Sequence, residues 1–296
     1  MNGTLSQSRP LSRPFDYLEL MKPELTFLSV LTSLCGFYLG TTGPFDYWRF
    51  FHVALGTTLV GGGAGALNQF IERRYDALMK RTERRPLPAG RLHPVEGLIF
   101  GSVTAVLGIV DLCLYTNVLT GFLAAVTFAT YIFLYTPLKR ITTYSTLIGA
   151  VPGALPPVLG WAAARNDLNL GAGVLFAIVF CWQMPHFLSL AWMYRRDYAR
   201  AGFRILTVHD PDGKRTGREI VAYCIALVPV SLLPALAGMA GLASMAGGIA
   251  LSLAFLALSL MLVRSAGNLN SYSRQLFFAS LVYLPSLLLL ISLDKS

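Results

Sequence analysis

The stretch Asn68 to Arg91, NQFIERRYDALMKRTERRPLPAGR, closes an apolar run and opens a densely cationic one. Asn68, Glu72 and Asp76 recur every fourth residue, so on a helix rising about 1.5 Å per residue they stack on one face, roughly 6 Å apart. That face is a ladder of hard oxygen ligands. Magnesium takes one or two carboxylates together with waters and substrate phosphates, and Arg73, Arg74, Lys80, Arg81, Arg84 and Arg85 stand beside the ladder to hold the phosphates. A plainer reading stands next to this one: cations flanking a membrane span set its orientation, and acids among them form ordinary helix ion pairs. Glu72 and Asp76 fit it less well, because acids within a turn or two of hydrocarbon are costly unless paired or liganding. The stretch predicts a magnesium-diphosphate site at a membrane surface.

The rest of the chain supplies the membrane. Hydrophobic residues make up 54% and charged residues 13%, with a mean hydropathy of +0.57. That composition predicts an integral membrane protein of the all-α class, a polytopic helical bundle of about nine spans of roughly 20 residues each. The expectation is a single transmembrane domain over residues 1–296, with no room for a separate soluble one. A net charge of +9 does not call for nucleic acid, since the cations gather in a few loops between apolar spans. Cys35, Cys113, Cys181 and Cys224 all fall in apolar segments, with no redox or metal spacing. The polar segment 1–24 lacks the short apolar core and cleavage site of a removable signal, which suggests a bacterial cytoplasmic membrane rather than an organelle.

Apolar windows of membrane length fall near 25–43, 51–71, 95–116, 118–136, 143–164, 170–194, 219–240, 244–263 and 275–293. With the N-terminus inside, the inner segments collect 21 of the 24 cations and leave Arg49, Arg165 and Lys295 outside. The positive-inside bias therefore predicts a cytoplasmic N-terminus and a C-terminus on the opposite side. Polar connections 72–94 and 195–218 then share the cytoplasmic face, where they could meet as catalytic loops. Pro86, Pro88 and Gly90 are expected to stop the acid-bearing helix, and Pro211 with Gly213 to do the same in the second loop.

Several spans carry more than an anchor needs. Gly61, Gly62, Gly63 and Gly65 let a neighbouring helix or a ligand approach the second span. GAVPGALPPVLGW (149–161), with Pro152, Pro156 and Pro157, predicts a kinked or interrupted fifth helix beside a cavity. The sixth span ends CWQMPHFLSLAWMYRRDYARAGFR and brings Gln183, His186 and Asp197 toward the inner face. Asp197 is the natural partner of the first acids across the bundle, or else it pairs with Arg196 or Arg200. Tyr135, Lys139 and Arg140 in LYTPLKR can reach a phosphate from the same face, and snorkelling anchors would look alike. His186 reads as a ligand, a base or a hydrogen-bonded core imidazole. Neither a nucleotide phosphate loop, nor a two-histidine metalloprotease helix, nor a nucleophile elbow occurs.

These motifs resemble the UbiA-type intramembrane prenyltransferases through most of the chain. Asn68, Glu72 and Asp76 match the first Asn-x-x-x-Asp-x-x-x-Asp signature with glutamate in the middle, and RTERRPLPAGR is similar to the family at large. YTPLKR, GAVPGALPPVLGW and WQMPHFLSLAWMYRRDYARAGF resemble its haem-farnesylating branch. The resemblance implies transfer of the farnesyl group of farnesyl diphosphate to a vinyl group of haem b, giving haem O and pyrophosphate for terminal oxidase biogenesis. It implies magnesium as cofactor, held by Glu72, Asp76 and Asp197, with Asn68 and Lys139 as further catalytic groups. Arg73, Lys80, Arg81, Arg85, Tyr135, Lys139, Arg140 and Lys214 would bind diphosphate. His186 and Arg204 are the candidates for haem, and haem A synthase or an oxidase a candidate partner. The family's second signature offers two aspartates four residues apart, whereas here Ala201 follows Asp197, so a second magnesium must find other ligands or keep more water. The competing readings are prenylation of a quinone precursor, transport of an anionic lipid, and non-catalytic haem delivery.

Overall fold

The computed structural model describes residues 13–264 and 269–296; Arg9 and the rest of 1–12 lie outside the described residues. Among the described residues a short helix, Arg13–Leu20, precedes nine longer ones. These are α1 (Pro23–Gly40), α2 (Tyr47–Asp76), α3 (Pro94–Tyr115), α4 (Val118–Leu138), α5 (Ser145–Arg165), α6 (Leu170–Met193), α7 (Lys214–Leu236), α8 (Leu242–Arg264) and α9 (Leu269–Leu293). Eight of them, α2 to α9, are long and apolar enough to cross a bilayer. The ninth expected span, α1, has 18 residues, about 27 Å at the helical rise, with Glu24 in its first turn. The chain is a multi-pass helical membrane protein.

Polar residues at the turns start these helices. Asp46, Asn117 and Asn169 accept a backbone N–H from the first turn of α2, α4 and α6, and His93 with Glu96 forms a reciprocal cap on α3. Small residues then set how closely the helices approach. A methyl group built on Gly160 of α5 would lie 1.7 Å from the Ser33 carbonyl of α1, and one on Gly36 would lie 2.0 Å from the Pro157 carbonyl. Ser33 Oγ donates to the Pro156 carbonyl at 2.9 Å across the same seam. Where hydrocarbon surrounds the helices, such backbone approach and interhelical hydrogen bonding hold them together.

Three details differ from the sequence expectation. The fifth helix, expected to be kinked or interrupted, is not interrupted: it runs from Ser145 to Arg165 with all three prolines inside it. Neighbouring helices supply side-chain donors to its carbonyls, Ser33 to Pro156 and Gln183 to Ala150. The helix carrying the acids ends at Asp76 itself, ten residues before Pro86. Thr82 Oγ1 caps the Asp76 carbonyl at 2.9 Å, and Met79 is buried against Ala201 and Phe203, so tertiary contact turns the chain before proline does. In α4 the residues Thr130–Tyr135 form a π-helical turn, which no periodicity argument anticipated.

The two polar connections do meet. α2 and α6 both end on one face, and the segments 77–93 and 194–213 join through the buried cluster of Met79, Ala201 and Phe203, with Tyr75 and Tyr198 packed on it.

Candidate active site

Asn68, Glu72 and Asp76 form the expected ladder along α2, and all three are buried. Each has a defined counterpart. Asn68 Nδ2 donates to Thr136 Oγ1 at 3.1 Å, while its Oδ1 accepts from Lys22 Nζ at 2.5 Å. Glu72 Oε1 pairs with Lys139 Nζ at 2.7 Å. Asp76 Oδ2 accepts from Arg85 Nη1 at 2.8 Å, whereas its Oδ1 is sealed from solvent with no hydrogen-bond partner. Two buried carboxylates thus face three cations drawn from three separate segments. The arrangement is satisfied only in part, and the unused oxygen lone pair on Asp76 is a hard donor of the kind magnesium takes.

The π turn explains how α4 contributes. It brings Tyr131 and Tyr135 to the cavity wall, and Thr136 Oγ1 donates to the Tyr131 carbonyl at 2.9 Å before accepting from Asn68. Single π turns inside α-helices recur at functional sites because the extra residue re-aims those that follow. Lys139 sits 4.6 Å from the Tyr135 ring centre, and its backbone carbonyl accepts from Arg204 N–H at 2.8 Å, which ties the second loop to the same point.

The remaining predicted residues divide. Asp197 lies where the loops touch: Arg200 pairs with it, and Arg81 N–H approaches its Oδ2 at 3.4 Å. Arg81 also donates to Tyr198 Oη at 3.1 Å and lies over the Tyr194 ring. Among the described residues no three acid, histidine or cysteine side chains gather as a ligand group. Arg73 lies over the Phe70 ring, Arg140 over Tyr75, Lys80 is exposed, and Lys214 pairs with Asp212 in the open. The Arg204 side chain is exposed, while His186 is buried and lines the cavity described next.

Below the ladder opens a cavity of about 240 Å³ between α1, α2, α4, α5 and α6. Lys22, Tyr131 and Tyr135 stand at the ladder end; Leu25, Leu28, Val60, Phe128, Leu159 and Val179 make apolar walls; Trp182, Gln183 and His186 close it on α6. Lys22 is the residue that sequence reasoning missed, having been counted only as an orienting charge. Its backbone is left-handed, φ 50°, one step before Pro23 starts α1. A non-glycine residue held there signals a constraint imposed by its surroundings. Those surroundings are visible: Gln69 Nε2 donates to the Glu19 and Leu20 carbonyls, Met21 packs on Gly62 and Gly65, and Arg91 clasps Asp16 and Glu19 while donating to the Arg84 carbonyl. Burial, and then the nearby Arg85 and Lys139 charges, push the Lys22 ammonium down to about 7 against the pull of Glu72 and Asp76. Lys139 goes the other way: burial is the largest single influence and opposes its charge, but Glu72 together with Tyr135 and Tyr131 outweighs it and holds the ammonium above its ordinary range.

A buried acid ladder, a ring of cations and an apolar chamber beneath them, built from helices, make a membrane site for an anionic head on an oily tail. Residues 29–282 match the UbiA prenyltransferase family, and the chain belongs to that family. The protoheme IX farnesyltransferase of Solibacter usitatus (strain Ellin6076) is 45% identical over 295 residues, covering 95% of this chain and 98% of that protein. Those of Koribacter versatilis (strain Ellin345) and Salinibacter ruber (strain DSM 13855 / M31) are 45% and 44% identical, each covering 95% of this chain and 93% and 98% of their own. Among solved structures, one of a digeranylgeranylglyceryl phosphate synthase superposes with a TM-score of 0.79 at 15% identity, covering 96% of this chain and 99% of that one. A UbiA homologue from Archaeoglobus fulgidus bound to DMAPP and Mg2+ gives 0.66 at 15% identity, covering 94% and 99%. At such identities the likeness concerns the fold alone.

Proposed function

We propose that this chain transfers the farnesyl group of farnesyl diphosphate to a vinyl group of haem b, releasing pyrophosphate and giving haem O. The observation that carries the reading is the convergence of Lys22, Lys139 and Arg85 on the Asn68–Glu72–Asp76 ladder at the mouth of an apolar cavity. The choice of haem as acceptor is supported by the names of the relatives, all protoheme IX farnesyltransferases at up to 45% identity over nearly the whole chain.

The residues divide the work. Lys22, Lys139 and Arg85 neutralise the diphosphate and the charge that grows on it as the allylic C–O bond lengthens. Magnesium, held by Glu72 and Asp76 with water and substrate oxygens completing its shell, would add Lewis-acid stabilisation to the same leaving group. Asp197 and Arg81, at the contact between the loops, would close the site over the diphosphate from above. Tyr131, Tyr135 and Phe128 line the cavity, where aromatic rings would stabilise an allylic cation, and the apolar walls keep bulk water from it. The vinyl group of the acceptor then attacks. Arg204, exposed on the second loop, stands on the acceptor side of this scheme. The loop face is the cytoplasmic one and the membrane the bacterial inner membrane, the reading supported by the gathering of cations in that face's loops. A haem A synthase or terminal oxidase would take the product.

The test is incubation of membranes carrying the chain with labelled farnesyl diphosphate and either haem b or 4-hydroxybenzoate, with and without magnesium. Label is expected on haem only, and only with magnesium. Label on 4-hydroxybenzoate would replace the acceptor, and release of pyrophosphate with no labelled acceptor would end the transferase reading.

A further inference from the structure

The α6 wall of the cavity carries two side chains whose hydrogen bonds fix their chemistry. Gln183 Nε2 donates to the Ala150 carbonyl at 2.7 Å, which settles the orientation of the amide and leaves Oε1, an acceptor only, on the other side. A methyl group on Gly153 would lie 2.2 Å from that Oε1, so glycine there makes the space it occupies. His186 Nδ1 lies 2.7 Å from Ser280 Oγ, and Ser280 Oγ itself donates to the Phe277 carbonyl at 2.5 Å. The serine proton being spent, the imidazole must donate from Nδ1, and the neutral ring carries its bare lone pair on Nε2. Among the described residues Nε2 has no hydrogen-bond partner, and it is not sealed by protein; His186 is 6% exposed and lines the cavity. Trp182 and Phe277 stack on it at 5.0 and 4.8 Å and hold its plane.

Residues three apart on a helix share a face, with Cβ atoms about 5–6 Å apart. Two acceptors on one face, with no donor of their own, suit a molecule that gives two protons and keeps its lone pairs free. We propose that Gln183 Oε1 and His186 Nε2 hold the water that becomes the hydroxyl of the product, with His186 as the base. The inference rests on the reading given under Proposed function. As the farnesyl C1–O bond breaks, the electron pair goes to pyrophosphate, and the terminal vinyl carbon gives its π pair to C1. Positive charge is left on the vinyl carbon joined to the porphyrin. The water oxygen bonds to that carbon, and one proton passes to Nε2, from which it leaves to solvent. No electron is gained or lost from outside. Without the held water, the same cation discharges by losing a proton from the former terminal vinyl carbon next to it, giving an alkene lighter than haem O by one water.

The assay uses the full chain in membranes with farnesyl diphosphate, haem b and magnesium, reading pyrophosphate release and, by mass, the ratio of hydroxylated to dehydrated product. A general base contributes about 10²–10⁴-fold. His186→Phe, which keeps the stacked ring, and Gln183→Leu are each expected to lower that ratio by about 100-fold or more for His186 and about tenfold for Gln183 while pyrophosphate release continues. His186→Gly with added imidazole is expected to regain the hydroxylated product. A parental ratio in His186→Phe, or loss of all turnover in His186→Gly that imidazole does not reverse, overturns the water site. Failure of the unaltered chain to release pyrophosphate in response to haem b would overturn the parent reading instead.

Discussion

Lys139→Met isolates the ion pair at the centre of the site. Lys139 Nζ and Glu72 Oε1 are 2.7 Å apart, with side chains 12% and 7% exposed. At an effective dielectric of about 20 the gross attraction at that distance is about 6 kcal/mol, most of it offset by the cost of desolvating two charges. Removing the lysine leaves Glu72 buried and uncompensated, and breaking one side of such a pair costs about 3–5 kcal/mol. Glu72→Gln should cost a similar amount by stranding Lys139, whose ammonium Glu72 holds above its ordinary range. The double variant Lys139→Met/Glu72→Gln removes both charges and should recover most of the stability, since a neutral pair of similar volume is often tolerated. Turnover should not return, because both groups are assigned to the leaving diphosphate. Denaturant unfolding of the four proteins in detergent, beside pyrophosphate release, measures both quantities. Stability of Lys139→Met within about 0.5 kcal/mol of the parent, or turnover recovered in the double variant, would refute the coupling.

Three other perturbations follow from the packing. Gly160→Ala drives a methyl group into the α1 backbone and should cost about 1–3 kcal/mol, with a raised KM for the prenyl substrate because α1 carries Lys22 and one cavity wall. Lys22 has its folded value lowered from 10.5 to about 7, so the folded chain binds fewer protons than the unfolded one between those values. Stability should therefore rise with pH across that window, the penalty being full below about 7, and Lys22→Met should flatten the rise. Binding of a diphosphate near pH 8 should recharge Lys22 and take up close to one proton, read as a buffer-dependent heat in titration calorimetry that Lys22→Met abolishes. Arg91→Met frees Asp16 and Glu19 from the loop, and protease should then cleave near residue 20 faster while α2 to α9 stay resistant.

Most of the bundle was legible because hydrocarbon imposes one rule, an apolar run of spanning length, and the cation count placed both long loops on one face. The ladder was legible because a spacing of four is the helical repeat itself. Lys22 was not legible, since a lysine beside a span reads as an anchor until three-dimensional packing carries it to Asn68. The π turn escaped for a related reason: Thr130–Tyr135 is as apolar and aromatic as its neighbours, and only the match of Thr136 to Asn68 distinguishes it. The unbroken fifth helix shows proline acting through context: the backbone runs on through Pro152, Pro156 and Pro157 while Ser33 and Gln183 bond other carbonyls of the same helix. Asp197 lies at the meeting of the loops paired with Arg200, the salt-bridge pattern that spacing allowed beside a ligand role shared with Glu72 and Asp76.

The extra residue in that π turn sets a reading frame for the end of α4. Held to the ordinary repeat with every residue of Thr130–Tyr135 kept, the turn would swing everything beyond it by about 100° around the axis. Thr136 and Lys139 would then leave Asn68 and Glu72 while the helix itself became more regular. The wide turn takes up that one residue's rotation, so that irregularity in the backbone, kept against the easier geometry, is what brings the fourth span into the chemistry.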